Sequence, residues 1–181
     1  AVFFSALLFA GKPNVLFIMS DDHTSQAIGA YGSRLAKLNP TPTIDRLAKE
    51  GMLFENAFCS NAICAPSRAT IITGQYAHTC GAHDLSGRIE GQRQYLAKEM
   101  KKAGYHTAMV GKWHLKAIPT GFDYSEVLPG QGNYYNPTML IGPKRVKHTG
   151  YVTDIVTDLG IEWLDKKRDK TKPFMLMLQH K

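Results

Sequence analysis

The sequence lacks any run of about 20 apolar residues, the length that a membrane-spanning helix requires. The apolar stretch Ala1–Ala10 is too short to span a bilayer and is followed by the polar segment Gly11–Asn14. It resembles the apolar region of a secretory signal peptide, and a buried N-terminal strand is the alternative interpretation. We expect no membrane span, a signal-peptide remnant over residues 1–11, and a soluble protein exported to the periplasm, the cell exterior or a lysosome-like compartment.

Cysteine is scarce, with only Cys59, Cys64 and Cys80 present. Their spacings of five and sixteen residues do not match the short paired spacings of zinc sites. In an exported protein Cys59 and Cys80 could form a disulfide and leave Cys64 single, but the sequence alone does not decide that pairing.

The chain also lacks zinc-finger spacing and the aromatic-rich pattern of RNA-binding modules. Its net charge of +7 is concentrated in the segments 144–147 and 166–172. Such basic runs usually form a solvated surface, and the functional alternative is a field that attracts anionic ligands. We therefore expect no nucleic-acid partner, and an acidic small substrate or glycan is the better functional interpretation.

Apolar residues make up 44% of the chain, and strand and helix signals alternate along it. This alternation predicts an α/β fold with a mostly parallel central sheet flanked by helices. Strands are predicted at 14–19, 52–58, 105–110 and 174–178, and helices at 66–73, 92–103, 152–167 and between a Thr41 or Thr43 cap and Gly51. Residues 119–150, rich in glycine and proline, are predicted to form a long loop.

Polar residues follow three of the predicted strands directly. They are Asp21 and Asp22, then Lys112 and His114, and finally His180. Because ligands bind beyond the carboxyl ends of strands in open α/β sheets, these separate segments are predicted to converge on one site. Lys112 and His114 alternate past their strand, so we expect both to point into one pocket.

Cys64 lies just before the helix that Pro66 is predicted to begin. The free amide groups and the dipole at a helix N-terminus favour negative charge, so a cysteine there is predicted to be reactive. Arg68, one turn into the helix, could reinforce this effect. An ordinary buried cysteine is the alternative.

Two motifs resemble those of a known family. Residues 64–74 read C-x-P-S-R-x-x-x-I-T-G, which resembles the motif of the formylglycine-dependent sulfatases of the alkaline-phosphatase-like superfamily. Seven specified positions would recur by chance at roughly 10⁻⁹ per starting position. Residues 104–115 read G-Y-x-T-x-x-x-G-K-W-H-L and resemble the second sulfatase consensus, in the same order and at a fitting distance.

The resemblance implies that Cys64 is oxidised to formylglycine by a maturation enzyme, and that its hydrate attacks the sulfur of a sulfate ester. It also implies a Ca²⁺ ion held by Asp21, Asp22 and the modified Cys64, which lowers the pKa of the attacking hydroxyl. Arg68 and Lys112 would neutralise charge at the nucleophile and the sulfuryl group. His114 would take the proton that allows collapse to the aldehyde and release of sulfate.

The resemblance runs from Asn14 to Lys181 and implies that residues 12–181 are the N-terminal part of the catalytic domain, with an incomplete sheet. The family's later metal ligands and catalytic histidine are absent; His180 would be that histidine's neighbour and is a weaker candidate for substrate binding, beside Lys112. We therefore expect the 181-residue chain alone to be inactive, to bind Ca²⁺ weakly and to expose apolar surface. Turnover of an aryl sulfate by this chain alone would contradict the expectation.

The segments 121–124 and 128–137 resemble a loop of sulfatases that act on 6-O-sulfated N-acetylglucosamine in mucin or heparan-type glycans. The resemblance implies a sulfated carbohydrate as substrate; the loop aromatics could stack on a sugar or only pack the loop. Two other functions stay open. One is a phosphonate or phosphate monoester hydrolase of the same superfamily, and the other is a glycan-binding or inactive protein in which Cys64 is never modified.

Overall fold

A six-stranded sheet runs through the part of the chain that the computed structural model describes, residues 11–181. Its strands are β1 (Val15–Met19), β2 (His106–Lys112), β3 (Tyr124–Leu128), β4 (Thr138–Ile141), β5 (Lys144–Lys147) and β6 (Phe174–Gln179). Their spatial order is β1-β6-β2-β3-β4-β5. The first four in this order are parallel, whereas β4 and β5 pair antiparallel. The predicted mostly parallel sheet is therefore confirmed. The predicted signal-peptide remnant, except for Gly11, lies outside the described residues.

Helices cover both faces of the sheet. The helices of the chain are α1 (Pro42–Glu50), α2 (Cys64–Thr73), α3 (Ala77–Cys80), α4 (Leu96–Lys102) and α5 (Val152–Glu162), which continues as a π-helical turn over Trp163–Lys167. Of these, α1 packs on the turn at Gly29–Tyr31 instead of the sheet. Three short 3₁₀ turns lie at Ser25–Ala27, Gly29–Tyr31 and Ala36–Leu38. No helix within residues 11–181 has the length and apolar character needed to cross a membrane.

The central strands bury side chains on both faces. On β6, Met175 and Met177 pack into one core cluster with α2, whereas Leu176 and Leu178 pack into a second cluster with α5. Successive side chains of a strand point to opposite faces, so a strand covered on both sides reads as an unbroken apolar run. This is why β2 and β6 are recognisable in the sequence, whereas β1 is apolar throughout although Leu16 and Ile18 on one of its faces are 48% and 56% exposed.

Helix α2 begins two residues earlier than predicted. Cys64 is its first residue and Pro66 its third, so Cys64 belongs to the helix rather than preceding it. The first turn tolerates this proline because its missing N–H would have no helical partner there. The helix ends where Gly74 adopts a left-handed conformation with φ of 68°, as the glycine signal predicted.

Three other predictions need correction. Residues 52–58 form no strand, because the segment pairs with no strand of the sheet. Its apolar side chains stay at the surface, and Phe58 is 89% exposed. The predicted loop over 119–150 contains β3, β4 and β5, because its glycines and prolines mark turns between short strands rather than one loop. The predicted helix over 92–103 is shortened to α4.

Candidate active site

A cavity of about 350 Å³ lies at the carboxyl ends of β1 and β2, beside the first turn of α2. Five of the predicted site residues line it: Asp21, Asp22, Cys64, Arg68 and Lys112. They come from three separate segments that are brought together because β1 and β2 flank β6 and α2 packs over the same edge.

Asp21 lies between two cations. Its Oδ2 accepts hydrogen bonds from Arg68 Nη2 at 2.6 Å and from Lys112 Nζ at 2.9 Å. The side chains of Arg68 and Lys112 are only 2% and 4% exposed. Burial alone would raise the pKa of Asp21, but the hydrogen bonds and charges of Lys112 and Arg68 outweigh it and lower that pKa. Asp21 is therefore ionised, and the two cations exceed the one carboxylate that they share.

Arg68 also binds two neighbouring strand ends. Its Nη1 donates to the backbone carbonyl of Lys112 at 2.6 Å and to the side-chain carbonyl of Gln179. One guanidinium thus joins the residue that follows β1 to the last residues of β2 and β6. Sequence reasoning missed Gln179, and the available signal was a polar residue that ends an otherwise apolar strand.

Gly111 explains how β2 and β6 approach so closely at this edge. Its φ is +104°, and a Cβ there would lie 2.0 Å from the backbone oxygen of Gln179. No other residue type fits both the conformation and the space. The glycine of the second motif is therefore a packing requirement of the site.

The structure separates His114 from Lys112, so the prediction that they point into one pocket is wrong. His114 has φ of +53° and lines an adjacent, mostly apolar cavity of about 200 Å³. The left-handed turn breaks the strand alternation on which the prediction rested. Burial, then the positive charges of Lys112 and Arg68, lower the pKa of His114, so at neutral pH its ring is able to accept a proton.

His180 does not line the main cavity either. Its backbone N–H donates to the carbonyl of Met19 at 2.8 Å, which extends the pairing of β6 with β1. Burial lowers the pKa of its half-buried side chain. The structure therefore offers no direct support for His180 as a substrate-binding residue.

The proposed disulfide between Cys59 and Cys80 is not formed, and both thiols are free. Cys59 is exposed and lies 3.2 Å from Ser67 Oγ, whereas Cys80 is buried and faces the carbonyl of Ala77. The two thiols thus face different parts of the chain, and Cys59 lines the cavity of Cys64.

The cavity offers two carboxylates to a cation. Asp21 and Asp22 offer the carboxylate oxygens that Ca²⁺ prefers, but the ion takes six to eight oxygen ligands. Within residues 11–181 no three histidine, cysteine or acidic side chains are grouped so that they could hold a metal. The donor type fits the ion, whereas the number of donors from this chain does not complete its coordination.

Comparison with known proteins agrees with these features. The family model described as Sulfatase matches residues 13–180. The N-acetylglucosamine-6-O-sulfatase of Bacteroides thetaiotaomicron is 44% identical over 173 residues, covering 94% of this chain and 30% of that protein. The N-acetylglucosamine-6-sulfatase of Capra hircus is 28% identical, covering 92% of this chain and 33% of that protein.

Solved structures share the fold. A protein in complex with its substrate D-glucosamine-2-N,6-O-disulfate superposes with a TM-score of 0.88 at 44% identity, covering 93% of this chain and 34% of its own. A protein in complex with a neocarrahexaose superposes with a TM-score of 0.82 at 27% identity, covering 45% of that protein. The chain spans about a third of the length of the curated relatives described above.

Proposed function

Because this chain belongs to the sulfatase family, we propose that the whole protein is a sulfuric ester hydrolase that removes sulfate from a sulfated glycan. The observation that carries the proposal is the buried pair of cations, Arg68 and Lys112, sharing Asp21 in the cavity that Cys64 lines. Two buried cations share one carboxylate here, and the second acid of the cavity, Asp22, is exposed. This arrangement suits a sulfate group, since electrostatic interactions strengthen where water is excluded.

The roles proposed for the side chains are those that the resemblance to the sulfatase motifs implies. Formylglycine made from Cys64 would supply, as its hydrate, the nucleophile that attacks sulfur. A Ca²⁺ ion held in part by Asp21 and Asp22 would supply charge stabilisation to the sulfate oxygens. Lys112 and Arg68, which hold Asp21 at the edge of the cavity, would neutralise negative charge that develops there. His114, kept neutral by its lowered pKa, would accept the proton that allows collapse to the aldehyde.

For the substrate we propose a 6-O-sulfated N-acetylglucosamine. Support comes from the relative at 44% identity, which is an N-acetylglucosamine-6-O-sulfatase, and from the neighbour with a 6-O-sulfated glucosamine as its substrate. Within this chain, Gln131 of the loop after β3 lines the main cavity, and Tyr134 and Tyr135 are exposed nearby in sequence. Export of the protein, with a maturation enzyme acting on Cys64, is part of the same proposal.

Paired esters test this function. The whole protein should hydrolyse a 6-sulfated N-acetylglucosamine faster than the corresponding 6-phosphate, and Cys64→Ala should abolish the sulfate reaction while leaving the fold intact by circular dichroism. Faster phosphate hydrolysis would favour the phosphoester alternative. Binding of the sulfated sugar without turnover, by protein from the native host in which Cys64 remains a thiol, would instead indicate the glycan-binding alternative.

A further inference from the structure

The hydrogen-bond geometry around Arg68 points to Gln179 as a positioning residue: its side-chain carbonyl fixes the guanidinium that holds Asp21 beside Cys64. The inference rests on the proposed function but assigns a residue that neither sulfatase motif contains. Gln179 reaches the reacting groups only through Arg68.

Gln179 is a polar residue in an apolar setting. It is fully buried and shares a face of β6 with Met175 and Met177, which pack in the core cluster that includes α2. An amide is costly to bury unless it is hydrogen-bonded. Because arginine offers only donors, the carbonyl oxygen of Gln179 must be the atom that faces Arg68. The contact with Arg68 is the one hydrogen bond recorded for this amide within residues 11–181, since its Nε2 is buried without a partner.

The orientation of Arg68 depends on this contact. Its Nη1 has two acceptors, Gln179 Oε1 and the Lys112 carbonyl, and its Nη2 has Asp21. Its Nε has no hydrogen-bond partner among residues 11–181. Two fixed acceptors on Nη1 define the plane of the guanidinium and aim Nη2 at Asp21. Without Gln179, one backbone acceptor remains on Nη1, and the guanidinium can rotate away.

The test uses the whole protein and compares Gln179→Met, which keeps the length of the side chain but removes the acceptor, with Gln179→Glu, which keeps an acceptor oxygen. We expect Gln179→Met to lower kcat on a sulfate ester by about 10- to 100-fold, the range for hydrogen bonds to charged groups, with little change in KM. Gln179→Glu keeps the acceptor but adds a negative charge beside Arg68, so it should retain more activity than Gln179→Met without reaching that of the wild type. Mass analysis of each variant verifies equal modification of Cys64.

Two controls separate positioning from a merely structural role. Met177→Leu alters packing on the same face of the same strand and should shift Tm while kcat is retained. In an Arg68→Lys background, the loss caused by Gln179→Met should shrink, because the residue that Gln179 positions is already gone. Equal losses in both backgrounds would overturn the inference.

If the wild type shows no sulfatase activity, the proposed function fails, but the positioning role of Gln179 can still be tested by a crystal structure of Gln179→Met. The separation of Arg68 Nη2 from Asp21 Oδ2 is expected to exceed hydrogen-bonding distance. An unmoved Arg68, or a Gln179→Met variant with wild-type kcat, contradicts the assignment. If Gln179→Met does not fold, the crystal structure of Gln179→Glu replaces it, and loss of the hydrogen bond from Arg68 Nη2 to Asp21 in that variant, which keeps the acceptor, contradicts the assignment.

Discussion

Residues 11–63 and 64–181 differ sharply in how they are packed. Within the described chain every buried residue lies at Ala65 or later, whereas the earlier segment leaves large apolar side chains such as Ile18, Leu47 and Phe54 exposed. Yet the earlier segment supplies Asp21 and Asp22, and the later one supplies the cations that bind Asp21. The acidic half of the site is thus attached to the core by the pairing of β1 with β6 and by a few charged contacts.

Breaking the charged contact between the two regions should have the largest effect. Arg68→Met leaves buried Asp21 with one cation and frees the acceptors on β2 and β6, so we expect a loss of about 3–5 kcal/mol in the free energy of unfolding and a fall in kcat of about 100-fold or more in the whole protein. Urea unfolding and steady-state kinetics measure both. Arg46→Met is the matched control, because its ion pair with Glu50 is 61% exposed on both sides and should change stability by about 1 kcal/mol or less. Equal losses in the two variants would contradict the account.

Two glycine substitutions, one in each region, compare how tightly the backbone is packed there. Gly111→Ala combines a positive φ with a Cβ placed 2.0 Å from an oxygen of β6, so we expect it to cost about 3 kcal/mol or more. Gly32→Ala, in the earlier segment, has a positive φ but open space around its Cβ and should cost only about 1–2 kcal/mol. Denaturant midpoints of the two variants decide this, and similar values would show that the close approach at Gly111 does not constrain the fold.

The stabilisation that Asp21 gives to the contact between residues 11–63 and the rest of the chain should be lost in acid. The pKa of Asp21 is lowered in the folded state, so its stabilisation is present above the ordinary value of 3.8 and is lost as the pH falls through the folded pKa. We expect the stability difference between the wild type and Asp21→Asn to be largest near neutral pH and to shrink below about pH 4. Asp158→Asn, at an exposed helical position, serves as the control. A difference that is constant from neutral to acid pH would exclude the ionised Asp21 as its cause.

The smallest effect is expected at the exposed apolar positions. Phe58→Ser in this chain should change the free energy of unfolding by about 0.5 kcal/mol or less, since the side chain is 89% exposed. Met177→Ala in the buried region should cost about 2–5 kcal/mol. In the whole protein we expect Phe58→Ser to cost more, because we expect its surroundings to be covered there. Thermal unfolding of the 181-residue chain and of the whole protein tests this. A large loss of stability from Phe58→Ser in the 181-residue chain would show that the Phe58 side chain is packed there.

The same contrast explains which parts of the fold and of the site can be predicted from the sequence. Strands buried on both faces, such as β6, are recognisable because nearly every residue is apolar, and the motifs indicate Cys64, Arg68 and Lys112 directly. The segment 52–58 misleads because an exposed apolar run has the composition of a strand without a partner to pair with. The polar end of β6 marks Gln179 in the sequence, but its contact with Arg68 depends on the tertiary fold. The turn at His114 depends on a positive φ, which leaves no local pattern.

The central claim is that Cys64, next to the cations that share Asp21, is the position of the nucleophile. Mass analysis of the peptide that contains Cys64, taken from the whole protein produced in its native host, tests it most directly. The account predicts an aldehyde form, lighter than the cysteine form because one sulfur and two hydrogens are exchanged for one oxygen. A peptide that carries only an unmodified thiol, in protein that nevertheless hydrolyses sulfate esters, would contradict it.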